Sequence, residues 1–127
     1  MSEAGLNTEQ KVLAFSAVVE IATGLALMIH PAMVVPLLLG ANESDATALL
    51  GRVAGIALLA LGLACLPSRR YADTGSPASR AMLSYNALIA LYLAYLGAVG
   101  HVGGPLLWPA VALHAGVALL LGWKWGR

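Results

Sequence analysis

The chain has 127 residues, of which 60% are hydrophobic and only 10% charged, with a formal net charge of +1 and a mean hydropathy of +0.82. A soluble domain is about a quarter charged, so this is a membrane composition, and the near-neutral balance gives no ground for nucleic acid as a partner. Four apolar runs near the roughly 20 residues that a crossing needs nearly exhaust the length, which predicts one transmembrane domain over residues 1–127 and leaves no room for a soluble catalytic one.

The first ten residues are polar and lack the basic, apolar and small-residue order of a cleaved signal peptide. Asn7, with Gln10 three positions on, has the form of a helix N-cap and its return partner. The first span covers about residues 11–30 and carries Glu20 near its middle. Pro31 and Pro36 then bracket AMVV ahead of LLLG, a run too short and too proline-broken to cross a bilayer, which predicts an interfacial or re-entrant segment on the far side. Residues 42–45 make a short acidic loop in which Ser44 or Asp45 can cap the second span, about residues 46–66. Within that span Gly51 and Gly55 have the spacing that lets helix backbones approach in lipid, and Gly62 extends the row of small residues. Its one charge is Arg52, near the start. Cys65, the only cysteine, reads as a small buried hydrophobe.

Pro67 ends the second span, and SRRYADTGSPASR, residues 68–80, is the most polar stretch of the chain. Ser76 and Pro77 form a cap and first-turn pair that opens the third span, about residues 78–99. Gly100, Gly103 and Gly104 make a tight turn, and Pro105 or Pro109 opens the fourth span, about residues 105–123. Trp108 at one end, and Trp123 and Trp125 at the other, fall where aromatic residues anchor helices at the membrane interface. Crossing four times puts Lys11, Arg69, Arg70, Arg80, Lys124 and Arg127 on one side, and only Glu43 and Asp45 on the other. The positive-inside rule then places both termini in the cytoplasm, and short loops predict an antiparallel four-helix bundle.

Each span supplies one strongly polar side chain: Glu20, Arg52, Asn86 and His114. At about 1.5 Å of rise per residue, Glu20 and His114 lie near the midplane and Arg52 roughly 10 Å below the acidic loop, within reach of Glu20. Lipid offers these groups no hydrogen bonds, so if all four face inward they form one intramembrane polar cluster. In its plain reading the cluster is structural, a Glu20–Arg52 ion pair with Asn86 and His114 bonding between helices. In its functional reading Glu20 and His114 are proton or cation sites, although a nearby arginine would hold Glu20 ionised rather than let it cycle.

His30 and His101 fall at the outer ends of the first and third spans. They are the weak candidates for a metal or haem, and no Cys, Asp or Glu stands near them at a ligand spacing, so no metal is predicted. Tyr85, Leu88, Tyr92 and Tyr95 recur at helical spacing on the third span. Such a stripe is ordinarily packing surface; as a binding face, Tyr85, Tyr92 and Trp108 would suit a flat ring such as a quinone.

The order of parts, a first span ending in a proline-broken outer segment and then GRVAGIALLALGLAC, with YNALIALYLAY and LLWPAVALHA as later blocks, resembles the small four-helix bacterial membrane proteins of the DoxX-like group. It is more similar still to uncharacterised relatives that carry an arginine at the position of Arg52. The resemblance implies a bacterial inner-membrane location and an accessory role beside quinone-linked sulfur oxidation or oxidative-stress complexes; it supplies no catalytic motif to carry across.

Three roles follow as expectations. The first is a noncatalytic scaffold or accessory subunit that packs its glycine-rich faces against itself or a larger membrane complex; its mark is a polar cluster that is dry and mutually satisfied. The second is an oligomeric proton- or cation-coupled transporter or channel working through Glu20 and His114. The third is a quinone- or haem-associated redox subunit.

Overall fold

The computed structural model describes residues 5–42, 44–66 and 76–126. These form five α-helices and no strand: α1 (Thr8–Ile29), α2 (Pro31–Leu39), α3 (Asp45–Ala64), α4 (Pro77–Ala98) and α5 (Leu107–Trp125). Four of them, α1, α3, α4 and α5, are long and apolar enough to cross a membrane. Glu43, Pro67, Arg69, Arg70 and Arg127 lie outside the described residues, and with them most of the polar 68–80 loop.

The starts of α1, α3 and α4 are built as their sequences foretell, whereas neither Pro105 nor Pro109 opens α5, which begins at Leu107 with no side-chain cap. Asn7 accepts from the Gln10 amide (2.8 Å) and Gln10 returns the bond to the Asn7 amide (3.0 Å). Ser44, rather than Asp45, caps α3, with Thr47 as its reciprocal partner. Ser76 caps α4 through the Ser79 amide, with Pro77 in the first turn, where its missing N–H costs nothing. The segment of Pro31 and Pro36 is a nine-residue helix rather than a broken turn: Pro31 occupies its first position, and Gly40, at φ 66°, ends it in the left-handed region that glycine reaches without strain.

The bundle is two antiparallel pairs, α1 with α3 and α4 with α5, which pack far more extensively within each pair than between them. In the first pair the backbones all but touch. A Cβ on Gly24 would stand 2.7 Å from the Gly55 carbonyl oxygen, and one on Gly62 would stand 2.8 Å from that of Ala17. Gly55 and Gly62 are thus the seam that the small residues predict; Gly51 instead faces Pro31 of α2. Gly24, the partner on α1, is an unforeseen half of this contact.

Buried residues trace a single stripe on α1, Glu9, Leu13, Ser16, Ala17, Glu20 and Gly24, and another on α4, Ser79, Met82, Asn86, Ala90 and Leu93, both at the 3.6-residue period. The stripes meet in parallel: the Ser79 hydroxyl donates to Glu9 (2.9 Å) and Asn86 donates to Ser16 (3.2 Å). At this end the two pairs converge on an apolar core of Leu13, Ala17, Cys65, Met82, Val117 and Leu121. Toward the other end they part, and α2 closes the gap. There the turn between α4 and α5 donates from Gly104 to the Leu38 carbonyl (3.0 Å) and from Leu106 to the Leu37 carbonyl (2.9 Å), satisfying groups that a helix end leaves open. A side chain at Gly104 would overlap the carbonyls of Pro36 and Leu37.

The outer surface is apolar on every long helix, including Phe15 and Val18, Leu49, Val53 and Ile56, Leu88 and Leu91, and Leu119 and Leu120. Trp108 lies exposed near one end of the bundle, and Trp123 and Trp125 at the other. In water a surface of this kind drives aggregation; in a bilayer it is the solvated one.

Candidate functional site

The parting of the helix pairs leaves a cleft of about 570 Å³, lined by α1, α2, α4 and α5 with Leu58 from α3. Short side chains keep it open: Ala22, Thr23 and Ala26 from α1, and Pro109 and Ala110 from α5. The walls are otherwise aliphatic. Glu20, Tyr85 and His114 stand together at its floor, where the cleft meets the apolar core beneath.

The floor is held by a hydrogen-bonded layer. The Asn86 amide donates to the Met82 carbonyl (2.8 Å) and to the Ser16 hydroxyl (3.2 Å), and its oxygen meets His114 Nδ1 at 2.7 Å. A backbone carbonyl only accepts, so the bond to Met82 fixes which end of the amide carries the hydrogens. His114 Nδ1 is therefore the donor toward Asn86 Oδ1, and in the neutral ring Nε2 is left as an acceptor. Tyr85 packs edge-on against the imidazole, with ring centroids 5.8 Å apart, and its phenol faces the Glu20 carboxyl. His114 Nδ1 is 3.8 Å from Glu20 Oε1, too far for a hydrogen bond. Glu20 is 1% exposed, and among the described residues its Oε1 has no hydrogen-bond partner.

Of the four residues read as one cluster, the structure brings together Glu20, Asn86 and His114. Arg52 is elsewhere. It is exposed on α3, and its Nε donates to the Met28 carbonyl at 3.4 Å. The reason lies in the α1–α2 junction. Met28 is in the last turn of α1, where carbonyls lose their helical partners, and Pro31 brings no N–H to that junction. A guanidinium there satisfies the carbonyl and complements the negative end of the helix dipole. The Glu20–Arg52 ion pair is accordingly absent.

The aromatic face is likewise divided. Tyr85 lines the cleft, whereas Tyr92 and Trp108 are exposed, at 59% and 54%. The tyrosine stripe is rotated by roughly a quarter-turn or more from the buried stripe of α4, at about 100° per residue, so most of it faces outward. Trp108 instead borders a smaller hollow with Gly97, Gly103, Leu107 and His101. His30 and His101 are both exposed, and no group of three or more His, Cys, Asp or Glu residues that could hold a metal occurs among the described residues.

Two buried polar residues escaped the sequence reading, Glu9 and Ser79. Both sit on the same 3.6-period stripes as Glu20 and Asn86, and extending those stripes about three turns from Glu20 and about two from Asn86 toward the helix starts reaches them. Comparison with protein-family models, with curated proteins and with solved structures returns no match.

Proposed function

We propose that this small membrane protein is a binding protein for a lipid-soluble small molecule, held in the cleft between the α1–α3 and α4–α5 pairs with its polar end on Glu20, Tyr85 and His114. The observation that carries this reading is a buried carboxylate oxygen without a partner at the floor of an otherwise apolar cleft. Buried polar groups are satisfied as a rule, and a half-satisfied one in a low-dielectric setting is costly unless something else completes it. The cleft volume falls within the roughly 300–1,000 Å³ of small-molecule sites, which are mostly apolar with a few convergent polar groups.

The scaffold reading calls for a mutually satisfied cluster and glycine faces turned to a partner. Ser16, Asn86 and His114 meet the first condition and Glu20 does not; Gly55 and Gly62 are spent on α1 within the same chain. A ligand site supports a carrier or transporter role, in which the occupant would be moved, or an accessory role beside a larger membrane complex or a second copy of the chain. Haem finds less support, since the two exposed histidines have no ligand set around them among the described residues. A quinol-type ring remains a chemically reasonable occupant beside Tyr85. We further propose an inner-membrane setting with both termini cytoplasmic. Of the described lysines and arginines, Lys11, Arg80 and Lys124 lie at the end of the bundle where α1 and α4 begin and α5 finishes, and Arg52 alone lies toward the other end, with Asp45.

Extraction of the purified protein with organic solvent, followed by mass spectrometry, tests the binding reading. Ala110→Trp, which fills the cleft from the α5 wall, should lose a small molecule that the unaltered protein retains. Identical extracts from two folded proteins would overturn it.

A further inference from the structure

The floor of the cleft has a definite hydrogen-bonding polarity. Asn86 spends both of its donors and its acceptor within the bundle, on Met82, Ser16 and His114. The Nδ1 donor of His114 is spent in turn on Asn86, which leaves Nε2 as an acceptor. Tyr85 turns its hydroxyl to Glu20. With Glu20 ionised and His114 neutral, what the floor leaves uncommitted is therefore acceptors: Oε1 of Glu20 and Nε2 of His114. An occupant that brings only carbonyls would meet no uncommitted donor from these residues; one that brings N–H or O–H groups would complete both.

Charge narrows the class further. Among the described residues no lysine or arginine lines the cleft, and Arg52, the cation that depth alone would assign to Glu20, is committed to the Met28 carbonyl at the end of α1. A carboxylate taken out of water without a cation is strongly unfavourable, and attraction by an opposite charge is greatest where the dielectric is low. The Tyr85 ring beside the carboxylate adds a surface that favours a cation over a neutral head.

We propose that the occupant of the cleft is a hydrophobic amine in its ammonium form, its N–H groups bonding Glu20 and His114 and its apolar body lying along the aliphatic walls toward α2. This rests on the binding role given above and names the ligand class for the same site. The ammonium supplies the counter-charge that Arg52 does not bring to Glu20, and Thr23, one turn up α1, is the next polar group along the wall.

The test is calorimetric titration of the protein in lipid nanodiscs with three probes of one shape, 4-phenylbutylamine, 4-phenylbutanol and 4-phenylbutyrate, with empty nanodiscs as the blank. The amine should bind at least about tenfold more tightly than the alcohol, and the carboxylate should not bind. In Glu20→Gln the affinity for the amine should fall to that for the alcohol, with the alcohol unchanged. Amine and alcohol binding equally to the unaltered protein would overturn the ammonium assignment while leaving the cleft a binding site, and a Glu20→Gln protein that still prefers the amine would do the same. Absence of binding by all three probes above the blank would overturn both. The comparison of probes is made on the unaltered protein, so it decides even if the variant does not fold.

Discussion

Asn86 is the side chain on which the interior polar layer depends. It is fully buried and joins three helices by bonding Ser16 of α1, His114 of α5 and a carbonyl of its own helix. Asn86→Leu should cost about 2 kcal/mol, since it removes several bonds and leaves two partners unsatisfied, and Ser16→Ala about 0.6 kcal/mol, the average for one such bond within a membrane bundle. Reversible unfolding in mixed micelles would measure both, and equal losses would contradict the central place given to Asn86. For Arg52 the expectation is independence from Glu20. Leu substitutions at the two positions should add to within about 0.5 kcal/mol in a double-mutant cycle, and a larger coupling would restore the ion pair. Depth was legible from residue counting, which is why Glu20 and His114 could be placed at one level. Direction around the helix axis was not, because the partner of Arg52 is a backbone carbonyl, and every residue carries one. Its selection depended on where α1 ends and on Pro31 following it.

At the level of helices, the contrast between glycines is the most direct check on the packing. Gly24 and Gly55 oppose one another with no room for a Cβ, whereas a Cβ on Gly116 would meet nothing within 4 Å. Gly24→Leu or Gly55→Leu should abolish folding or lower the melting temperature sharply, and Gly116→Ala should be neutral; a Gly55→Leu protein with an unchanged melting curve would refute the seam. Gly104→Ala should also destabilise, because the added methyl falls on the α2 carbonyls that the turn caps. The caps at Asn7, Ser44 and Ser76 could be read in advance, since each uses contacts three residues apart. So could the four long apolar helices, whose pattern is local. The docking of the α4–α5 turn onto α2 could not, because it joins two segments more than 60 positions apart through backbone groups alone, and proline spacing in α2 argued only for an interfacial or re-entrant segment. The pairing of α1 with α3 was half legible: Gly55 and Gly62 stood out in an apolar run, while Gly24 had no such context.

For the molecule as a whole, the proposed topology predicts that tags at both termini and at Ser76 are out of reach of an impermeant reagent in intact cells, while a cysteine introduced at Asn42 is labelled; labelling at either terminus would invert the arrangement. The bundle also carries its own reporter of opening. Cys65 is the only thiol, is 1% exposed, and bonds the Ala78 carbonyl through Sγ (3.6 Å) in the core where the two helix pairs converge. A thiol reagent can reach it only when the pairs separate, so the rate of modification of the unaltered protein is a clock for that breathing. An occupant of the cleft that holds the pairs together should slow the clock in proportion to its occupancy, giving a ligand assay that needs no label, no engineered site and no knowledge of what the ligand is.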